Sequence, residues 1–287
     1  MITHKIALVL SPLLLACATS ARADEAPDTD LPTFDASATD TSQPAETASP
    51  SESNHSTAVG KKKWEFATIG YVWFAGAWGK TDVIGPLPPV DLNLPFGKVL
   101  KAFKFAFMGA AEAKHDRFVI LGDLTFIHLD AHQGIGIRDP DFLKAELDSR
   151  TAEITLLGGY RVVDQGPVSL DLLAGGRMNW FKTTLQLKGP VLEADGEKKE
   201  NWFDPLIAAR VGAPLGGKWS LGVYGDVGGV VTGSKITWQL VPTVNYQISR
   251  KMTLGAGWRY LKIDYRHGDF LYNVHQSGPI ITFRTVM

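Results

Sequence analysis

Residues 236–249 alternate without a break. Ile236, Trp238, Leu240, Pro242, Val244, Tyr246 and Ile248 fall on one parity; Thr237, Gln239, Val241, Thr243, Asn245, Gln247 and Ser249 fall on the other. Strand side chains point to opposite faces with a period of two, so this is a strand with one apolar and one uncharged polar face. An average soluble strand has about 5–6 residues, and a membrane-crossing barrel strand needs about 9–11. A strand this long with a wholly apolar face implies lipid as the solvent on that face.

The period recurs from Trp64 onward. Strand-length segments are predicted at residues 64–79, 101–115, 117–130, 149–163, 167–187, 201–215, 218–232, 235–249, 251–265 and 271–286. One short helix is predicted at residues 95–103, from Phe96, Val99, Leu100 and Phe103. Tight turns at His115-Asp116, Asp164-Gln165-Gly166, Gly216-Gly217 and Arg250 carry the Asp and Gly chemistry that hairpins use. The other connections, residues 80–100, 131–148, 188–200, 233–234 and 266–270, are mostly longer. Short turns at one end and long loops at the other predict an all-β, up-and-down transmembrane antiparallel barrel of about ten strands, with eight or twelve as alternatives. An even count leaves both chain ends on the short-turn, periplasmic side. Residues 80–100, with Pro86, Pro88, Pro89 and Pro95, either enter the lumen as a plug or cover its outer mouth.

The faces opposite the apolar ones carry mid-strand charges. Lys104, Arg161, Arg177, Arg210, Arg259 and Arg284 share that side with Glu112, Asp123, Glu153, Asp171, Asp204 and Asp226. Buried charges persist when paired, so a balanced set predicts a narrow lumen largely filled by ion pairs rather than a charge-selective channel. Trp64, Trp73, Trp78, Trp202, Trp219, Trp238, Trp258, Tyr265 and Tyr272 lie mostly near strand ends, as interfacial girdles do; the competing reading is a set of core aromatics. Pro205, Pro242 and Pro279 fall inside strands and are expected at bulges or strand ends. The last segment alternates Pro279, Ile281, Phe283, Thr285 and Met287, ending on Met where barrels usually end on an aromatic.

Composition narrows this further. The formal net charge of −1 argues against a nucleic-acid partner, and a single cysteine excludes an internal disulfide. Beyond the N-terminus no run of about 18 apolar residues exists for a transmembrane helix. Residues 1–23 read as a signal peptide: a positive start, an apolar stretch from Ile6 to Ala16, and Ala21-Arg22-Ala23 before Asp24. Leu14-Leu15-Ala16-Cys17 offers a competing lipidation site at Cys17. Residues 24–63 hold eight acids, no Lys or Arg before Lys61 and few large apolar residues, so they read as a disordered acidic tail ending in Lys61-Lys62-Lys63. The barrel is assigned to residues 64–287.

The stretches Gly70-Tyr71-Val72-Trp73-Phe74-Ala75-Gly76, Phe107-Met108-Gly109-Ala110-Ala111-Glu112-Ala113, Asn201-Trp202-Phe203-Asp204-Pro205, Gly225-Asp226-Val227-Gly228-Gly229, Trp258-Arg259-Tyr260 and Gln276-Ser277-Gly278-Pro279 carry a resemblance. The chain resembles a family of proteobacterial outer-membrane β-barrels, largely without assigned activity, in the group of small barrels that includes the OmpA- and Opa-like proteins. The resemblance covers Trp64 to Met287. It implies residence in the outer membrane of a Gram-negative cell and no particular chemistry.

Two constellations carry candidate chemistry. His275 and Ser277 share a face of the last strand, with Asp264 on the neighbouring strand; lipid A deacylases are small barrels with a His-x-Ser pair on the outer rim, served by a carboxylate. Here no acid follows Ser277 in the chain, and two polar residues at a rim are ordinary. His128, Asp130 and His132 share one strand face and offer divalent-metal donors, against the plainer reading of a solvated rim. The glycine-rich stretch at residues 225–233 lacks the Lys and the helix of a phosphate loop. The expected role is structural or envelope-related with at most small-pore passage; a passive porin and a lipid hydrolase are the alternatives. No cofactor is expected. The expected partners are outer-membrane lipid, lipopolysaccharide and the barrel-assembly machinery.

Overall fold

All ten predicted segments form strands in the computed structural model, which describes residues 63–82, 90–135, 143–164, 166–189 and 193–287. The predicted leader, Cys17 and almost all of the acidic tail lie outside the described residues. The elements are β1 (Glu65–Trp73), β2 (Gly76–Thr81), β3 (Val90–Leu94), α1 (Phe96–Ala102), β4 (Phe103–His115), β5 (Phe118–Ile135) and β6 (Leu143–Val163). They continue with β7 (Ser169–Lys188), β8 (Glu193–Gly216), β9 (Trp219–Gly228), β10 (Ile236–Gln247), β11 (Met252–His267) and β12 (Phe270–Val286). Every pairing is antiparallel. β1 pairs with β4, β4 to β12 follow in chain order, and β12 returns to β1, which closes a ten-stranded barrel. β2 continues β1 along β12, and β3 adds to β2 at the loop end, so the described part of residues 80–100 extends the wall. α1 sits where the helix was expected, with Phe96 edge-on to Phe74 at 5.4 Å.

Polarity is largely inverted. Phe105, Phe107, Phe118, Ile120, Ile154, Leu156, Leu172 and Ile207 are exposed on the outside, while Glu153, Asp171, Arg177, Asp204, Asp226 and Arg259 are buried inside. β10 follows the predicted parity: Ile236, Leu240, Pro242 and Val244 face out, and Thr237 and Gln239 are buried. The tight turns rest on left-handed backbone at Asp116 (φ 56°) and Gly217 (φ 56°), which Asp and Gly tolerate.

Several details differ from the sequence reading. The first segment is broken at Phe74 and Ala75, because Pro279 stands opposite and has no N–H to offer; Phe74 N donates instead to Pro279 O at 2.9 Å. None of Pro205, Pro242 and Pro279 sits at a strand end or a register shift. Pro242 interrupts the β10–β11 ladder between Leu240 and Thr243 without changing its register, and Pro205 lies where the β8–β9 ladder stops. The bulges fall elsewhere, at Phe103/Phe105, Arg161/Val163 and Pro214/Gly216.

The loops assigned to residues 131–148 and 188–200 are largely ladder: β5 and β6 stay paired to Ile135↔Leu143, and β7 and β8 to Lys188↔Glu193. The β8 extension is polar on both parities, so no apolar period marks it, whereas on β6 Leu143, Ala145 and Leu147 do alternate with Lys144, Glu146 and Asp148; the ladder anchored in the barrel propagates through both. β9 ends early, at Gly228, because Gly229, Val230 and Gly233 take left-handed conformations (φ 83°, 62° and 76°).

Candidate functional site

The lumen is crossed by side chains at three levels. Nearest the turn end, Glu112 of β4 receives Arg284 Nη2 at 3.1 Å and Lys114 Nζ at 3.1 Å, and Arg210 of β8 reaches it from the far wall. Asp171 accepts from Arg161 Nε at 2.7 Å and Arg210 Nη2 at 2.6 Å. Each carboxylate therefore serves at least two cations, and Arg210 links both.

In the middle level, Arg177 donates to Asp226 at 2.8 Å, Thr155 at 3.1 Å and Thr237 at 3.3 Å. Arg259 donates to Tyr71 Oη and to Gln239 Oε1, each at 3.0 Å, and its guanidinium lies 4.6 Å from the Trp73 ring centre. Tyr71 in turn donates to Asp123 at 2.8 Å. Arg259 Nη2 also faces Glu153 Oε2 at 3.9 Å; β11 and β6 are five strands apart in a barrel of ten, so this pair spans the diameter. Moving ions from water into such a space is costly, and only multiple hydrogen bonds to each guanidinium offset it.

The third level is aromatic. Trp202 stacks on Tyr265 at 4.2 Å, and Phe181 meets Phe270 at 5.6 Å and Tyr272 at 5.3 Å, again from opposite walls. Leu261, Ile263 and Val274 fill between them. Asp204 lies beside this layer and accepts from Asn179 at 2.9 Å, Trp202 Nε1 at 3.0 Å, Ser234 N at 2.6 Å and Ser234 Oγ at 3.0 Å. It pins the segment after β9 over the end of that short strand.

Eleven of the twelve charges expected inside are there. Lys104 is the exception: the bulge at Phe103/Phe105 takes it out of phase, and it pairs with Asp130 on the outer face at 2.9 Å. Lys114 stands in the lumen in its place. Trp73, Trp202, Tyr265 and Tyr272, expected among the girdle aromatics, are buried in the lumen. Parity was the available signal, since Trp202 is in phase with Asp204 and Tyr265 with Arg259. Trp64, Trp78, Trp219 and Trp258 are exposed on the outside.

His275, Ser277 and Asp264 all lie on the outward face, but they are not assembled. Register places Tyr260 opposite Ser277, Lys262 opposite His275 and Asn273 opposite Asp264. The Ser277 hydroxyl accepts from Trp258 Nε1 at 2.7 Å. His275 stacks on Trp78 at 5.6 Å, is bonded to the Tyr260 hydroxyl, and has Lys262 Nζ 2.9 Å from its Nε2. Nucleophile and base thus have separate partners, and Asp264 touches neither by any hydrogen bond among the described residues. His128, Asp130 and His132 do share the outward face of β5, but His128 is engaged apart from the other two: its Nε2 lies 2.7 Å from Asp148, while Asp130 takes Lys104 and, at 3.0 Å, His132. Among the described residues no three His, Cys, Asp or Glu side chains are placed to hold a metal ion.

No protein-family model and no curated protein sequence matches the chain. Solved structures do. The outer membrane protease OmpT from Escherichia coli aligns over 81% of this chain and 99% of its own, at 10% identity and a TM-score of 0.53. The translocator domain of the autotransporter NalP from Neisseria meningitidis aligns over 80% of this chain and 90% of its own, at 12% identity and a TM-score of 0.42. The fold is that of an outer-membrane β-barrel. At these identities it is the barrel that is shared, and nothing of a site.

Proposed function

We propose that the protein is a closed, non-conducting barrel of the Gram-negative outer membrane with a structural or envelope role. Its turn end and both chain ends face the periplasm, and its long-strand end faces outward. The observation that carries this is the filling across the lumen: Glu153 with Arg259 and Phe181 with Phe270 span its diameter, and Glu112 with Arg210 crosses it four strands apart, at three levels. A water-filled porin keeps charged side chains on the wall and a free axis, and it generally needs about 16–18 strands. Orientation rests on the usual arrangement of short periplasmic turns and longer outer loops.

Planar-bilayer recording of the refolded barrel tests the reading. We expect no single-channel steps at ordinary salt and voltage. Stable conductance steps from the unmodified protein would overturn it. As a positive control, replacing Phe181, Trp202 and Tyr272 with Ala together removes the aromatic level and produces conductance if the ionic levels then hydrate.

A further inference from the structure

On four adjacent strands the outward face changes from apolar to charged at one level. Phe126, Ala152, Trp180 and Asn201 are register partners across β5 to β8. Two residues further toward the loop end, the partners are His128, Arg150, Lys182 and Lys199. The next row is Asp130, Asp148, Thr184 and Glu197. Phe126, Ala152 and Trp180 are apolar on three of these strands, with Asn201 beside them on β8, and the basic row stands immediately beyond this edge.

Like charges set directly opposite one another across strands are destabilising, so an unbroken row of basic residues asks for a counter-ion. The chain supplies part of one. Asp148 pairs with Arg150 at 3.1 Å and His128 at 2.7 Å, and Glu197 with Lys182 at 2.8 Å and Lys199 at 2.6 Å. Two carboxylates thus answer three permanent cations and a histidine; Asp130 is taken by Lys104 and His132. At this level an open pocket of about 380 Å³ has Phe126, Ala152 and Trp180 as its apolar side and Arg150, Lys182 and Lys199 as its basic side. Below it, Leu124, Ile154, Met178 and Phe203 form a continuous apolar row across the same four strands.

We propose that this pocket binds a phosphorylated, acylated lipid of the leaflet it meets, with the phosphate on Arg150, Lys182 and Lys199 and the acyl chains along Leu124, Ile154, Met178 and Phe203. Charge, level and shape all match. A phosphate offers several anionic oxygens to donors spaced one strand apart, Arg supplies a planar fork, and Trp180 sits where an amphipathic ring meets head groups. Lipid provides both halves of the ligand, whereas a free phosphate would leave the apolar half unused. Glu197 competes for the same cations. Hydrogen bonds from Lys182 and Lys199 hold its carboxyl down to about 2, so it is anionic at working pH.

The proposal rests on the barrel spanning a membrane at this level, as argued above. Native mass spectrometry and binding titrations of the full folded barrel in neutral detergent test it, with bis-phosphorylated lipid A, the same lipid stripped of phosphate, and inorganic phosphate as probes. We expect the phosphorylated lipid to bind at least about tenfold tighter than the stripped one, and the variant carrying R150Q, K182Q and K199Q to lose that preference. Glu197→Gln removes the competing anion without touching the apolar half, so it tightens binding several-fold; this arm stands if the triple variant fails to fold. Equal binding of both lipids, a preference that survives in the triple variant, or unchanged binding in Glu197→Gln overturns the proposal. Inorganic phosphate that displaces the lipid fully at equal concentration overturns it too, because the apolar half would then contribute nothing. None of these readings depends on the lumen, so failure here leaves the closed barrel standing, and a conducting barrel leaves this site standing.

Discussion

The lumen and the outer rim use the same side chains and hold them in opposite ways. Arg177 and Asp226 in the lumen are fully buried, with Arg177 bonded to three partners. Arg150 and Asp148 on the rim are 50% and 30% exposed, and water answers whatever the pair leaves unsatisfied. Surface ion pairs contribute about 0–1 kcal/mol because solvent screens them and two long side chains lose freedom. Buried pairs are expensive to form, yet breaking one side leaves an uncompensated charge in a dry space. The contrast teaches that charge in this barrel is structural where it is dry and available for a ligand where it is wet.

The largest effect is therefore expected in the middle level. Arg177→Leu strands Asp226 and should cost roughly 3–5 kcal/mol, read as a lower urea midpoint for loss of the compact, heat-modifiable gel band. A double variant, Arg177→Met with Asp226→Leu, should recover most of that; if it is as unstable as the single variant, the cost was packing and not stranded charge. Phe181→Ala, which opens the aromatic level against Phe270 and Tyr272, should cost about 3–5 kcal/mol by the same assay.

A smaller effect is expected where the two regions meet. Gly233 has φ 76° and packs on the Phe203 carbonyl, so Gly233→Ala should cost at least about 1–2 kcal/mol and loosen the Ser234 bonds to Asp204. Amide exchange at Ser234 is the direct check. The smallest effect belongs to the rim: Arg150→Ala should change the urea midpoint by under about 1 kcal/mol. A rim loss as large as the Arg177 loss would erase the distinction between the regions.

Much of the wall was legible. β10 keeps its predicted parity, and Glu153, Asp171, Arg177 and Arg259 point inward as their spacing required. What escaped the reading had physical reasons. The long extension of β8 is polar on both sides, so nothing in it oscillates, while the short alternation of Leu143, Ala145 and Leu147 on β6 faces only a mixed partner segment from Ala131 to Ile135. The Lys104 error follows from one bulge, which reverses parity for a single residue. Trp73, Trp202, Tyr265 and Tyr272 lie near predicted strand ends, where girdle aromatics are expected, but strand parity turns them inward. The candidate triad of His275, Ser277 and Asp264 shared a face but not a meeting point, because register set Asn273 opposite Asp264 and Lys262 opposite His275. Polar residues on one face are common; hydrogen-bond partners are decided by neighbours.

By itself the sequence determined the period of two, and with it the wall, its lipid-facing surface, the charged interior and the position of most turns. These follow from local geometry, because successive strand side chains alternate whatever the strand is paired to. Only the tertiary structure decided which charges meet and whether the axis is blocked. Arg259 and Tyr71 are 188 residues apart, and Arg210 and Glu112 are 98 apart. Such pairs are fixed by the number of strands and their stagger around the closed barrel, which no single strand encodes. The row of His128, Arg150, Lys182 and Lys199 is the same kind of fact: four residues far apart in sequence, aligned by register into one basic edge.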